Sequence, residues 1–320
     1  MKLLQNAKDW KTGVSYEVII KYQDTTNGGN TGIADKLDTD RQNVRTKMSF
    51  YPKMAYKPIV IANIETTLNQ GDMQVVDLLE AEFDSQAQSL MQVMAANLWT
   101  GTGVGNSWDS INNAADDGTN FATYGGLSRT AYTTLKGYYL AAAGALTLAK
   151  MATAYDAVTV GMDTPDIIAT TKALWSTYES LLQPTVRAGY TQNGYPQMNA
   201  FGMLSRADGL AGQGGFNVLF FRGTPIVKDE QIPPGKMFFI NTNYFGFKGI
   251  NVAGLKQVNF KKSNSGVPLA VPGRIPSTRG FNFRDMMSPV DQLAEVGHII
   301  YAGNFISENP RLQGQMVGLS

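Results

Sequence analysis

Between Val14 and Tyr22 apolar residues occupy alternate positions: Val14, Tyr16, Val18, Ile20 and Tyr22 share one side, and Glu17, Lys21 and Gln23 lie on the other. A period of two is that of a strand with one buried face. A second strand is predicted from Val44, where Val44, Thr46 and Met48 alternate with Arg45 and Lys47. The two are joined by Asp24 to Asn43, 20 mostly polar residues. A structureless connection of that length is uncommon inside a compact domain and tends to be functional. The pair therefore reads as a long hairpin projecting from the body. Pro52 and Pro58 are expected to break the chain before a third strand, IVIANIET.

The period then changes. Val76, Leu79, Phe83, Ala87, Leu90, Met94 and Leu98 recur at intervals of three and four, one apolar stripe along a helix. Asp72 suits its N-cap, Asp77 and Glu80 suit the positive N-terminal end, and Gly101 suits its stop. Met73 to Thr100 makes 28 residues, about 42 Å of helix, enough to run the length of a domain as a spine. Shorter elements follow: a helix at LAKMATAYDAV, a strand at PDIIATT, and a helix at ALWSTYESLLQ stopped by Pro184. Residues 186–215 look like loop. FNVLFFRGTPIVKD and GKMFFINTNYFGF read as strands around the turn IPPG, VGHIIYAGNFI as a late strand, and RLQGQMVGL as another.

Composition narrows the chemistry. The 320 residues contain no cysteine and a single histidine, His298. Disulfides, thiolate nucleophiles, zinc sites built on Cys and imidazole relays are thereby removed or nearly so. His298 sits among apolar strand residues and reads as packed in a sheet. No segment nears the ~20 apolar residues that span a bilayer, and MKLLQNAKDWKTG lacks a secretory apolar core; a soluble, cytoplasmically made protein without a membrane role is expected.

The net charge of +1 conceals segregation. From Pro58 to Ser128 there is no Lys or Arg against nine acids, and from Gln231 to Arg284 no Asp or Glu against eight bases. Such polarity fits pairing within one fold, nucleic-acid binding, or pairing between copies.

Candidate motifs are sparse. Gly101-Thr-Gly-Val-Gly follows a helix instead of a strand, so it reads as a helix exit and not a phosphate loop. Asp116-Asp117-Gly118-Thr119 lacks the further carboxylates of a calcium loop and reads as a turn, with Gly118 at positive φ and an aspartate closing an Asx-turn. Phe238, Phe239, Tyr244, Phe245 and Phe247 precede the basic run; consecutive Phe238 and Phe239 would point to opposite faces of a strand, which favours packing over base stacking.

Several local patterns together carry a resemblance. Trp108-Asp-Ser-Ile, then Asp117-Gly-Thr, then Tyr124-Gly-Gly-Leu-Ser-Arg129 resembles the stretch after the spine in the tailed-bacteriophage major capsid protein family, whose fold is shared with encapsulins and the herpesvirus capsid floor. PDIIATTKALWSTYESLL, FFRGTPIVKDEQIPPGKMFFIN and GNFISENPRLQG resemble later parts of that family, so the likeness runs from Trp10 to Leu319. Asn112-Asn113-Ala114 departs from it where many relatives carry Gly-Leu.

The resemblance implies an α+β chain with the tailed-phage major capsid protein fold. It divides into an N-terminal arm (1–13), an extended β-hairpin arm (14–68), a peripheral domain with the spine helix (69–145), an axial α/β domain (146–245), and a basic loop with return strands (246–320). The implied function is a structural major capsid protein of the virion, not an enzyme and without cofactor. It would self-assemble into hexamers and pentamers of an icosahedral phage head enclosing double-stranded DNA, in the host cytoplasm. The implied partners are copies of itself, a separate scaffolding protein, a portal protein, packaged DNA on the inner face and a decoration protein. Candidate subunit-interface residues are Asn27, Arg41, Arg45 and Lys47 on the arm, Glu80 and Glu82 on the spine, and Lys261 and Lys262 in the basic stretch. Alternatives are an encapsulin-like shell around protein cargo, a carboxylate enzyme using Asp116, Asp117 and Tyr124, and a nucleic-acid-binding module on residues 231–284.

Overall fold

A computed structural model describes residues 8–10, 13–30, 32–33, 36, 39–68, 72–190, 219–250, 252, 255–257, 260–262, 268–270 and 281–320. Residues 191–215 of the expected 186–215 loop and much of the basic run lie outside the described residues, as do the side chains of Asp72, Val76, Leu79, Lys261 and Lys262.

A short strand β1 (Lys8–Asp9) leads into the arm, β2 (Tyr16–Lys21) and β3 (Arg45–Phe50), paired antiparallel with Tyr16 opposite Phe50 and Lys21 opposite Arg45. The predicted alternation holds from Tyr16 onward: Tyr16, Ile20, Met48 and Phe50 are buried while Ile19 is exposed, but Val14, expected on the buried side, precedes the strand and is exposed. β4 (Lys53–Ala62) follows as one unbroken strand through Pro58, correcting the expected break. Its partner among the described strands is β17 alone, so it is an edge there, and an edge accommodates a proline whose missing N–H faces away from the ladder. The ladder ends where Ala62 meets Ala294 and the Asn63 N–H donates to the Leu293 carbonyl at 3.1 Å. With no further partner the chain turns into α1 (Asn63–Leu68), so NIET is helical and not strand.

The spine, α2 (Asp72–Thr100), has 29 residues. Ala87, Leu90 and Met94 of its stripe are buried, Phe83 and Leu98 packed beside them. α3 (Ile111–Ala114), β5 (Thr123–Tyr124), β6 (Leu127–Ser128) and β7 (Tyr138–Leu140) carry the chain to α4 (Leu148–Val158), β8 (Ile167–Thr170) and α5 (Lys172–Tyr190). α5 continues past Pro184, where a stop was expected, and takes in residues 186–190, the start of the expected loop. A proline forfeits one intrahelical bond and crowds the preceding turn, but the turns on either side can carry the helix on. β9 (Leu219–Phe221) and β10 (Thr224–Lys228) form a hairpin over Arg222 (φ 49°) and Gly223 (φ 82°), the left-handed pair that matches strand twist. β11 (Met237–Ile240), β12 (Phe245–Gly249), β13 (Lys256–Gln257), β14 (Phe260–Lys262), β15 (Pro268–Ala270), β16 (Phe281–Met287), β17 (Ala294–Ser307) and β18 (Gly314–Met316) complete the described elements.

Two six-stranded sheets organise these parts. One runs β1-β12-β17-β16-β13 with β4 also on β17; the other runs β7-β18-β11-β8-β10-β9. The 14 residues of β17 reach across three neighbours, pairing β12 near its end and β4 and β16 along its length. Ile299, Tyr301 and Phe305 of β17 share a core with the spine. The second sheet separates that core from another. On β11, Phe238 stacks on Trp99 of the spine at 5.4 Å, while Phe239 joins Met151, Tyr155, Leu174 and Tyr178 of α4 and α5. Ile168 of β8 faces the same way as Phe239, and Ile167 and Ala169 face the spine. Strands covered on both faces are apolar throughout, which is why PDIIATT and MFFI show no alternation.

Candidate functional site

The stretch from Trp108 to Arg129, with its adjacent aspartates, carries a dense cluster of buried polar groups among the described residues. Asp116 is fully buried and both its oxygens are occupied. Oδ2 accepts the N–H of Gly118 (2.9 Å), Asn120 (3.1 Å) and Phe121 (2.9 Å), and Oδ1 accepts the Asn120 side-chain amide (2.8 Å). Gly118 has φ +108°, and Asp117 Oδ1 accepts the Thr119 N–H at 2.9 Å. The expected turn chemistry is therefore present at both aspartates. Arg129, also fully buried, lies 3.5 Å from Asp116 Oδ2 and donates to the carbonyls of Asp116 and Asn113. Burial lowers the Arg129 pKa, with Asp116 opposing that shift. Arg129 covers the Tyr124 ring at 5.3 Å, and the Tyr124 hydroxyl accepts the Ser307 N–H at 2.8 Å. Burial drives the Tyr124 pKa upward.

This knot anchors the arm. The Ser49 N–H of β3 donates to the Gly125 carbonyl at 2.9 Å, and Phe50 meets Tyr124 edge-on at 5.2 Å. Gly125 has φ +56°, and a Cβ there would stand 2.7 Å from Met48 Cβ, so Tyr-Gly-Gly is where the arm backbone presses onto the body. Tyr22 packs edge-on against Tyr132 at 5.1 Å. Further out the legs are zipped by side chains: Gln42 Oε1 accepts the Thr26 N–H at 2.9 Å, Gln42 Nε2 donates to Thr26 Oγ1 at 2.6 Å, and Asn27 Nδ2 donates to the Asp40 carbonyl at 2.9 Å.

A second buried carboxylate ties the knot to β17. Asn304 Nδ2 donates to Asp109 Oδ2 (2.7 Å) and to the Tyr51 carbonyl (3.0 Å), while Asn304 Oδ1 accepts the Asp109 N–H (3.0 Å). Asn113 Nδ2 donates to Asp109 Oδ1 at 3.2 Å. Burial raises the Asp109 pKa above 3.8 despite these bonds. A carboxyl raised in the folded state favours folding most below its unfolded pKa and loses that contribution as pH climbs through the folded value. Asp109→Asn should therefore gain in stability relative to the parent between pH 4 and 7. Paired melting curves across that range test this; a constant gap would contradict it.

The candidate interface residues lie on three elements, the arm, the spine and the β14–β15 hairpin. Arg41 and Arg45 are exposed along the arm, and Lys47 pairs with Glu17 at 2.8 Å, an exposed pair worth at most ~1 kcal/mol. Glu80 is exposed and Glu82 half-buried on the spine. The β14–β15 hairpin that carries Lys261 and Lys262 lies beside α2 of the same chain. Three connecting residues stand outside the candidate set. Lys248, buried, pairs with Glu308 at 2.7 Å and covers the Tyr16 ring at the arm root. Asn112, on the segment that departs from the family pattern, accepts from Lys236 Nζ at 2.8 Å and through its carbonyl from Gln315 Nε2 at 3.1 Å. Asn304 is the third, and it does leave a signal: a polar side chain inside an apolar strand must find partners.

No protein-family profile matches the chain, and no curated protein sequence does. Solved structures match along its whole length. The capsid asymmetric unit of cyanophage A-1(L) superposes with a TM-score of 0.65 at 16% identity, covering 99% of this chain and 92% of that one. This is the fold of phage capsid proteins and encapsulins. The capsid of a native GTA particle aligns at a TM-score of 0.55 and 11% identity over 99% of this chain and 90% of its own. The SrpI encapsulin of Synechococcus elongatus PCC 7942 aligns at 0.54 and 9% over 100% and 87%. Within the capsid fold of this chain, the paired aspartates of the 108–129 segment hold a connection in shape and seat the arm.

Proposed function

We propose that the chain is a structural, non-enzymatic shell subunit, copies of which assemble as hexamers and pentamers into an icosahedral phage head around double-stranded DNA. The observation that carries this reading is the end-to-end likeness to a phage capsid subunit, which covers 99% of this chain and 92% of that one. The arm supports it independently. A hairpin whose root is clamped by a buried knot and whose outer legs bond to each other is built to reach past its own body. In this reading the arm residues Asn27, Arg41 and Arg45 meet a neighbouring copy, and the shell forms in the host cytoplasm and becomes part of the virion. A scaffolding protein, a portal and a decoration protein are the remaining partners. The β14–β15 hairpin, which carries Lys261 and Lys262, runs beside α2. Pairing between copies involves the basic residues Lys261 and Lys262 and the spine acids, with exposed Glu80 the first candidate.

A second reading, a protein-cargo compartment, draws on the encapsulin likeness. Particles isolated from the source cells discriminate the two. Electron microscopy should reveal uniform closed shells, and nuclease treatment should leave double-stranded DNA protected inside. Shells holding a protease-protected protein and no DNA would favour the compartment, and a protein that forms no particle would overturn both.

A further inference from the structure

Among the described residues, the sheet face turned away from the spine leaves several large apolar side chains of β4 and β16 exposed, beside a half-buried row on β17. On β4, Ile59 and Ile61 enter the core, so Met54, Tyr56, Pro58 and Val60 face outward. Register places Ala302, Ile300, His298 and Val296 of β17 directly opposite them, and Arg284 and Met287 of β16 opposite His298 and Val296. Directly paired residues share a face. Met54 is 67% exposed, Tyr56 65%, Val60 49% and Met287 59%. The turn that closes the β16–β17 hairpin continues the patch with Val290 at 108% and Leu293 at 87%, and Ile64 of α1 extends it at 68%.

At roughly 100 Å² of free apolar surface per large side chain these residues present about 700 Å². The largest patch on a typical monomer is ~300–600 Å², whereas one side of a standard protein interface is about 800 Å². The area is thus that of half an interface. The charges on it indicate the occupant. Arg284 stands within the face and exposed Asp291 stands in the turn at its end. A copy laid antiparallel on the same face sets each arginine toward the other's aspartate while the apolar rows overlap. We infer that this face, Met54 to Val60 with the 287–293 turn, is a self-complementary contact between two copies of the chain, separate from the arm. The inference rests on the reading of the chain as a shell subunit and names one of its contacts.

The chain has no cysteine, so a single Val60→Cys reports cleanly on this face. Its labelling by a maleimide should be at least tenfold slower in assembled particles than in subunits dissociated from them. Val60→Asp combined with Val290→Asp should leave melting of the free subunit unchanged, since neither side chain is in the core, and should abolish closed particles. Equal labelling rates together with normal particle yield from the double variant would overturn the contact and leave the shell reading intact. A parent chain that stays monomeric at every concentration would overturn both. If the parent stops at small oligomers, the shell reading falls and the labelling ratio, measured in those oligomers, still decides the contact.

Discussion

Asp116→Ala should unfold the peripheral part of the subunit or lower its stability by about 3–5 kcal/mol, the range for stripping one partner from a buried ion pair. The carboxylate accepts three backbone N–H groups and one side-chain amide, and removing it orphans all four while Arg129 keeps its charge in a site closed to water. Two carbonyls would remain to Arg129, enough to orient the guanidinium but not to balance it. Arg129→Met should cost less, because Asp116 retains its four donors and methionine refills part of the volume. Arg129→Lys should behave like the methionine variant: an ammonium cannot reach the Asp116 and Asn113 carbonyls at once as the planar fork does. Urea denaturation of the three variants, closed with Asp116→Ala/Arg129→Met as a double-mutant cycle, gives the coupling. A loss below about 1 kcal/mol for Asp116→Ala would mean that the knot is surface decoration, contrary to its complete burial.

How much of this is legible in the sequence follows from how locally each feature is encoded. The arm strands and the spine are readable because each buries one face, and a single buried face stamps its period on the sequence. The turn at Asp116–Thr119 is readable because Asx-turns and positive φ select residue types within four positions. Features decided at a distance are not. Pro58 looks like a breaker until β17 is seen on one side of β4 and no described strand on the other. Asn63–Leu68 turns helical because the partner strand runs out, which no neighbouring residue announces. The role of Asp116 is half visible: its turn is local, but its partner Arg129 lies 13 positions on, and that residue's task as the knot's counter-charge emerges only once both are buried. The Asp109–Asn304 stitch spans 195 positions and is beyond reach of pattern alone. The outward apolar face is hidden for the opposite reason, because Met54, Tyr56 and Val60 alternate with half-buried or buried residues and look like ordinary strand hydrophobics until their exposure is known.

Deleting Thr25 to Asp40 should leave a folded subunit that no longer closes shells. The deletion is mild for the fold. Tyr22 already bonds through its N–H to the Val44 carbonyl at 3.1 Å, so joining Asp24 to Arg41 leaves Gln23, Asp24, Arg41, Gln42 and Asn43 as the loop, a normal hairpin length. Tyr16, Ile20, Met48 and Phe50 stay buried against the knot, so melting of the free subunit should be nearly unchanged. Assembly is affected differently, because every copy in a ring of the proposed shell would carry the same deletion and each junction would be weakened alike. An exposed arm interaction of about 1 kcal/mol, repeated six times around a hexamer, amounts to about 6 kcal/mol, or roughly 10⁴-fold in the equilibrium for the ring. Sedimentation should find the deleted protein as free subunits or incomplete rings at concentrations where the parent forms particles, and electron microscopy should find no closed shells. Normal shells from the deletion would take the arm out of assembly and leave the outward sheet face to hold the copies together.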